Sequence, residues 1–93
     1  MKIGKVQFLH GNVEIGIPSD TPQYIDIMYI PYAPKVNETR VLAMANRGAI
    51  DILTTLKLNT DLHGYIYISP KMIADFGVYN KMLIVFNCFY IVA

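Results

Sequence analysis

The C-terminal segment Leu83–Val92 constrains the fold more than any other part of the chain. Leu83, Val85, Asn87, Phe89 and Ile91 alternate with Ile84, Phe86, Cys88, Tyr90 and Val92, so a strand through it is apolar on both faces. Ten residues at about 3.3 Å each extend about 33 Å, longer than the common strand of five or six residues. An exposed edge of this length and character invites aggregation, which predicts an interior position in a sheet. One of its five-residue faces presents about 400 Å² of apolar surface, worth on the order of 10 kcal/mol when hidden. A chain of 93 residues has little to spare for covering both faces. The expectation is a homodimer or higher oligomer in which a second subunit covers the open face; the alternative is a monomer with its N-terminal hairpin folded over that face.

Composition supports a packed single domain over residues 1–93: 54% of the chain is hydrophobic, 16% is charged, and no repeat or low-complexity stretch interrupts it. Met82–Ala93 contains Asn87 and is twelve residues long, short of the roughly 18 apolar residues that cross a bilayer as a helix. The N-terminus Met1-Lys2-Ile3-Gly4-Lys5 shows no apolar core of a secretory signal, so a cytoplasmic location with no membrane partner is expected. A single cysteine, Cys88, excludes an intrachain disulfide and a thiolate zinc set. A net charge of +1 gives no strong signal for duplex nucleic acid.

Periodicity and turn chemistry predict seven elements in the order β-β-β-α-β-α-β. Strands are expected at Lys2–His10 and at Val13–Ile17, joined by a turn at Gly11-Asn12 into an N-terminal hairpin. After the loop Pro18-Ser19-Asp20-Thr21-Pro22 a third strand runs from Tyr24 to Tyr32, with Ile25, Ile27 and Tyr29 opposed to Asp26, Met28 and Ile30. A long helix is predicted from about Glu38 to Leu56, capped by Asn37, because Val41, Met44, Ala45, Gly48, Ile52 and Leu56 recur every three or four residues. Gly64–Ile68 reads as the fourth strand, and Ser69-Pro70 opens a short helix through Met72, Ile73 and Phe76 that Gly77 ends. The fold class expected is α+β, a mixed α/β sandwich with one long and one short helix against a single central sheet. A right-handed crossover would leave the third and fourth strands parallel.

Seven tyrosines without a tryptophan are the next unusual feature. Tyr65 and Tyr67 share one side of a strand, and Tyr24 and Tyr32 share a side of another. Tyrosine suits subunit contacts or stacking on a nucleobase. Arg40 and Arg47, seven residues apart on the expected helix with Lys35 before it, fall near one helical face and could clamp a phosphate; the alternative is a solvated Arg47–Asp51 pair. Lys71 follows Ser69-Pro70 at a helix start that offers free backbone N–H groups to an anion. The ligand-binding candidates are therefore Arg40, Arg47, Tyr65, Tyr67 and Lys71. For catalysis the imidazoles are His10 and His63, with Asp61 placed to orient His63, but no nucleophile elbow or metal-ligand spacing accompanies them. No metal or other cofactor is expected. Asn37-Glu38-Thr39 satisfies a glycosylation sequon, which is read as chance in a chain without a secretion signal.

The stretch Val41–Val92, read as an amphipathic helix, a strand, a turn ending Tyr79-Asn80-Lys81 and a long strand, resembles the second half of viral ring nucleases that cleave cyclic oligoadenylates. That resemblance implies a small homodimer and a histidine near the start of the helix; the corresponding stretch here reads Ala45-Asn46-Arg47-Gly48. The leading expectation is a non-enzymatic, homo-oligomeric module that binds a nucleotide-like or other small anionic ligand at a tyrosine- and arginine-lined subunit interface. Two alternatives are a phage-type accessory protein that blocks a host protein with an exposed apolar sheet face, and a small phosphodiesterase or nuclease using His63, His10 and Asp61.

Overall fold

The computed structural model describes residues 5–93. They form six strands and one helix: β1 (Val6–Gly16), β2 (Gln23–Tyr29), β3 (Thr39–Arg47), β4 (Ile50–Leu58), β5 (His63–Ile68), α1 (Pro70–Phe76) and β6 (Lys81–Ile91). The strands make one sheet in the order β1-β6-β3-β4-β5-β2, every pair antiparallel, curled into a half-barrel. The α+β sandwich with a long and a short helix is therefore not what forms, and the chain is mostly β.

The long helix predicted over Glu38–Leu56 is the β3–β4 hairpin, with an unbroken register from Thr39↔Leu58 to Arg47↔Ile50. Val41 with Ala45, and Ile52 with Leu56, are spaced by four, which satisfies the helical period and the strand period of two alike. Threonine and isoleucine at Thr54, Thr55 and Ile52 fit a pleated surface better than a helix. Gly48 ends the ambiguity: it has φ +61 and stands first in the two-residue loop Gly48-Ala49, the place where a type II′ hairpin turn takes glycine. With the helix goes the crossover, and among the described residues the strands expected to be parallel, β2 and β5, pair antiparallel.

The N-terminal hairpin is also replaced. β1 passes straight through Gly11-Asn12 and pairs with β6 from Val6↔Ile91 to Gly16↔Lys81 without a register shift. Gly11 serves there with φ +153, and its bare Cα lies over the Phe86 ring. The Lys2–Gly4 part of the expected first strand lies outside the described residues.

Other elements stand where their sequence signals put them. The Ser69 hydroxyl accepts the Met72 N–H at 3.2 Å, Pro70 occupies the first turn, and Gly77 donates back to the Ile73 carbonyl at 3.0 Å. β6 is interior, between β1 and β3.

One face of the sheet carries the core. Ala43, Ala45, Ile52, Leu56, Leu58, Ile66, Ile68, Ile84 and Phe86 are buried on it. Three connections cross that face and supply its cover. The β1–β2 connection brings in Ile17, the β2–β3 connection Ile30 and Pro34, and α1 brings Met72 and Phe76, all of them buried. Backbone bonds seal the crossings, from Tyr79 N–H to the Ile17 carbonyl at 2.7 Å and from Lys35 N–H to the Ile91 carbonyl at 2.8 Å. Among the described residues no connection covers the opposite face, and Phe8, Leu42, Leu53 and Phe89 stand exposed on it. Among the described residues, no helix is long and apolar enough to cross a membrane.

Candidate functional site: an aromatic and basic cluster on the open sheet face

Directly opposed residues of antiparallel neighbours share a face, so the registers assemble one cluster across four strands. Arg40 opposes Lys57, Lys57 opposes Tyr65, Tyr65 opposes Asp26, and Tyr67 opposes Tyr24. Lys57 is the centre: its ammonium lies 4.0 Å from the Tyr24 ring centroid and 5.4 Å from that of Tyr65. Arg40 Nε donates to the Tyr24 hydroxyl at 3.3 Å. The Tyr24 and Tyr67 rings pack at 5.2 Å.

The electrostatics follow from these contacts. A cation over a tyrosine face is worth about 0.5–1 kcal/mol when exposed and about 2 when desolvated, and the Lys57 side chain is only 15% exposed. The Tyr24 hydroxyl pushes the Arg40 guanidinium pKa up further, so that group is a permanent cation. Glu38 reaches Lys57 at 3.6 Å from an exposed position. It stands at φ +61, a left-handed conformation costly for any residue with a Cβ. Arg40 also lines a groove of about 380 Å³ with Leu42, Asn87 and Phe89.

A second group adjoins the cluster. Asp61 accepts the Tyr65 hydroxyl at 2.9 Å through one oxygen and the His63 N–H at 3.0 Å through the other. The hydrogen bond to Asp61 is the main reason the Tyr65 phenol pKa is raised. His63 Nδ1 lies 2.7 Å from Asp26 Oδ2, and the Tyr29 ring packs on the imidazole at 4.5 Å. The contact is an ion-pair approach outside hydrogen-bond geometry, and a proton on Nδ1 is the arrangement that avoids a lone pair facing the carboxylate at that distance.

The residues singled out in the sequence divide cleanly. Arg40, Tyr65 and Tyr67 come together, and Asp61 and His63 adjoin them. Arg47 does not: seven is an odd spacing, so a strand sends it to the face opposite Arg40, and its guanidinium donates to the Lys81 carbonyl at 2.6 Å. Lys71 pairs with Asp75 at 2.9 Å on α1, away from the cluster, and the free N–H of Met72 is taken by Ser69. His10 faces Asn87 on β1 and β6. Tyr32 lies beyond β2, its carbonyl accepting the Tyr90 hydroxyl at 2.8 Å. Asn37 caps no helix; its carboxamide oxygen takes the Thr60 N–H at 2.9 Å.

Sequence reasoning missed Lys57 altogether and used Tyr24 and Asp26 only in passing. The signal was present in the alternation Ile52, Thr54, Leu56, Leu58 against Leu53, Thr55, Lys57, which places Lys57 on the polar side of a strand. Among the described residues, no cluster of histidine, cysteine or carboxylate side chains could hold a metal ion. The resemblance to ring nucleases depended on a helix starting near Val41, and that segment is a hairpin, so the architectural likeness does not hold. No family model, curated protein or solved structure matches the chain.

Proposed function

We propose that this chain is a small binding module that holds a nucleotide-like anionic ligand on the open face of its sheet. The tyrosine rings take the base, and Arg40 and Lys57 take the phosphate. The observation that carries this reading is the stack of Lys57 between Tyr24 and Tyr65 with Arg40 on the Tyr24 hydroxyl. Aromatic rings interleaved with cations on a sheet surface are the chemistry that binds unstacked bases and their phosphates. Glu38 is displaced from Lys57 by the incoming anion, and its carboxylate, 52% exposed, passes into water.

The test is calorimetric titration of the protein with nucleoside 5′-monophosphates and with a short single-stranded oligonucleotide. Binding that weakens with added salt and falls about tenfold in Lys57→Ala supports the reading. Absence of heat with every probe, and unshifted Tyr24 and Tyr65 ring resonances at saturating nucleotide, would refute it.

One observation favours a second reading, phosphodiester cleavage. His63 lies with Nδ1 2.7 Å from Asp26 and its ring 6.1 Å from that of Tyr65, which leaves Nε2 as the candidate base. Cleavage of single-stranded RNA that disappears in His63→Ala would move the protein to that class; intact RNA after prolonged incubation leaves it a binding module.

A further inference from the structure

We infer that the apolar half of the open sheet face is a self-association surface, covered by the same face of a second copy of this chain. A sheet ordinarily buries both faces or keeps one polar. Here the face opposite the core is neither. Along β1, β6, β3 and β4 it exposes Phe8 (69%), Leu42 (66%), Leu53 (64%), Phe89 (60%), Ile91 (43%) and Val85 (39%). Phe8 and Phe89 oppose each other in the ladder with rings 6.1 Å apart, and Met44 lies between Val85 and Leu53; the polar pair His10–Asn87 stands between these two groups on β1 and β6, and Leu42 joins them by lying beside Phe89 on one side and Val85 and Leu53 on the other.

Its size and charge select the occupant. At these exposures the six side chains leave on the order of 600 Å² open, the upper end of what the largest patch on a monomer reaches. Two copies face to face would bury about 1,200 Å², the area at which specific, stable interfaces begin. Among the described residues the charges stand at the patch's margins: Glu14, Lys81 and Asp51 lie toward one end of the strands, and Arg40, beside Leu42 and Phe89, and Lys57 toward the other. A neutral patch laid on itself meets no like-charge repulsion at its centre, which is what an isologous two-fold contact requires. The net charge of +1 adds almost no repulsion between copies. The Tyr24–Lys57–Tyr65 cluster lies beside this patch, toward β5 and β2, and Arg40 borders both; the exposed apolar side chains that carry the self-association are none of the cluster's residues.

The experiment is sedimentation equilibrium of the full chain over a wide concentration range, paired with thermal unfolding at each concentration. The expected result is a mass of twice 10.5 kDa and a Tm that rises with concentration. Phe8→Glu and Leu53→Glu, both at exposed positions, are each expected to return the mass of one chain with an unchanged β-sheet circular dichroism spectrum. A wild-type mass of one chain at the highest concentration, with a Tm independent of concentration, overturns the inference whether or not the variants fold. A dimer that persists unchanged in both folded variants also overturns it, since the contact then lies elsewhere. Nucleotide titration of the Phe8→Glu monomer separates the two proposals, because that substitution leaves the cluster intact.

Discussion

His63 Nδ1 meets Asp26 Oδ2 at 2.7 Å because Asp26 opposes Tyr65, which shares a face of β5 with His63, and a bulge in β2 then brings Tyr29 onto that same face. Asp26 opposes Tyr65 while Met28 opposes Gly64, so Ile27 is the extra residue and the alternation is reset after it. Tyr29, three residues beyond Asp26, thereby reaches the same face and packs on the imidazole. Without the bulge the odd spacing would send Tyr29 to the opposite face.

This geometry predicts the tautomer. Two-bond proton–nitrogen correlation spectra of the neutral imidazole should show the proton of His63 on Nδ1, the minority form for a free histidine. Asp26→Ala should return the ring to a mixture and cost about 0.5–1 kcal/mol in urea unfolding, the range for a partly exposed pair. An Nε2–H form in the wild type would contradict the assigned contact.

Glu38 and an anionic ligand compete for Lys57. Removing the carboxylate charge in Glu38→Gln should tighten nucleotide binding about two- to fivefold, equivalent to about 0.4–1 kcal/mol, while Lys57→Ala weakens it. Paired titrations at low and moderate salt check both signs. Equal affinity for wild type and Glu38→Gln would mean the anion does not use Lys57.

Gly11 holds a backbone conformation that residues with a Cβ rarely adopt. Gly11→Ala should destabilise the fold by about 1–3 kcal/mol. The space above Gly11 is not the cause, since a Cβ there meets the Phe86 ring at 3.4 Å. Gly16→Ala is the internal control: it sits in the same strand, its nearest neighbour to a built Cβ is 3.8 Å away, and the substitution should change stability by no more than about 0.5 kcal/mol. Denaturant midpoints of the two variants decide whether the backbone conformation is what Gly11 contributes.

Alkali should loosen the protein ahead of any acid effect from these groups. Burial raises the Cys88 thiol and the Tyr90 phenol, and the Asp61 hydrogen bond raises Tyr65. Each group holds its proton more tightly folded than unfolded, so the stability it contributes is complete below its unfolded pKa and is lost as pH rises through the folded one. The window opens near pH 8.5, the ordinary thiol value, and extends past 10, the ordinary phenol value. Thermal midpoints should fall across that range, and less steeply in Tyr90→Phe. Iodoacetamide should label Cys88 more slowly at pH 8 than it labels a free cysteine; labelling at the free rate would show that the thiol is not shielded.

Local signals made part of this molecule legible. The cap residues Ser69 and Gly77 bracket α1, the run Leu83–Val92 announces an interior strand, and the spacing of Tyr65 and Tyr67 puts both on one face of β5 whatever that strand pairs with. Each of these depends on a few neighbouring residues, and the physics acting on them is the same in any context. Residues 39–58 were different, because spacings of four fit both periods and only the positive φ of Gly48 and the pairing of Thr39 with Leu58 separate a hairpin from a helix. The same holds for the cluster. Arg40, Lys57, Tyr65 and Tyr24 come from four strands, and their meeting depends on three registers that the hydrophobic contacts of the whole sheet select, as the place of Tyr29 beside His63 depends on the bulge. Sequence alone determined which residues would be strand-forming, buried or aromatic; the tertiary structure decided which of them touch, because register is a property of pairs distant along the chain and one residue of slip reverses the face of every side chain in a strand.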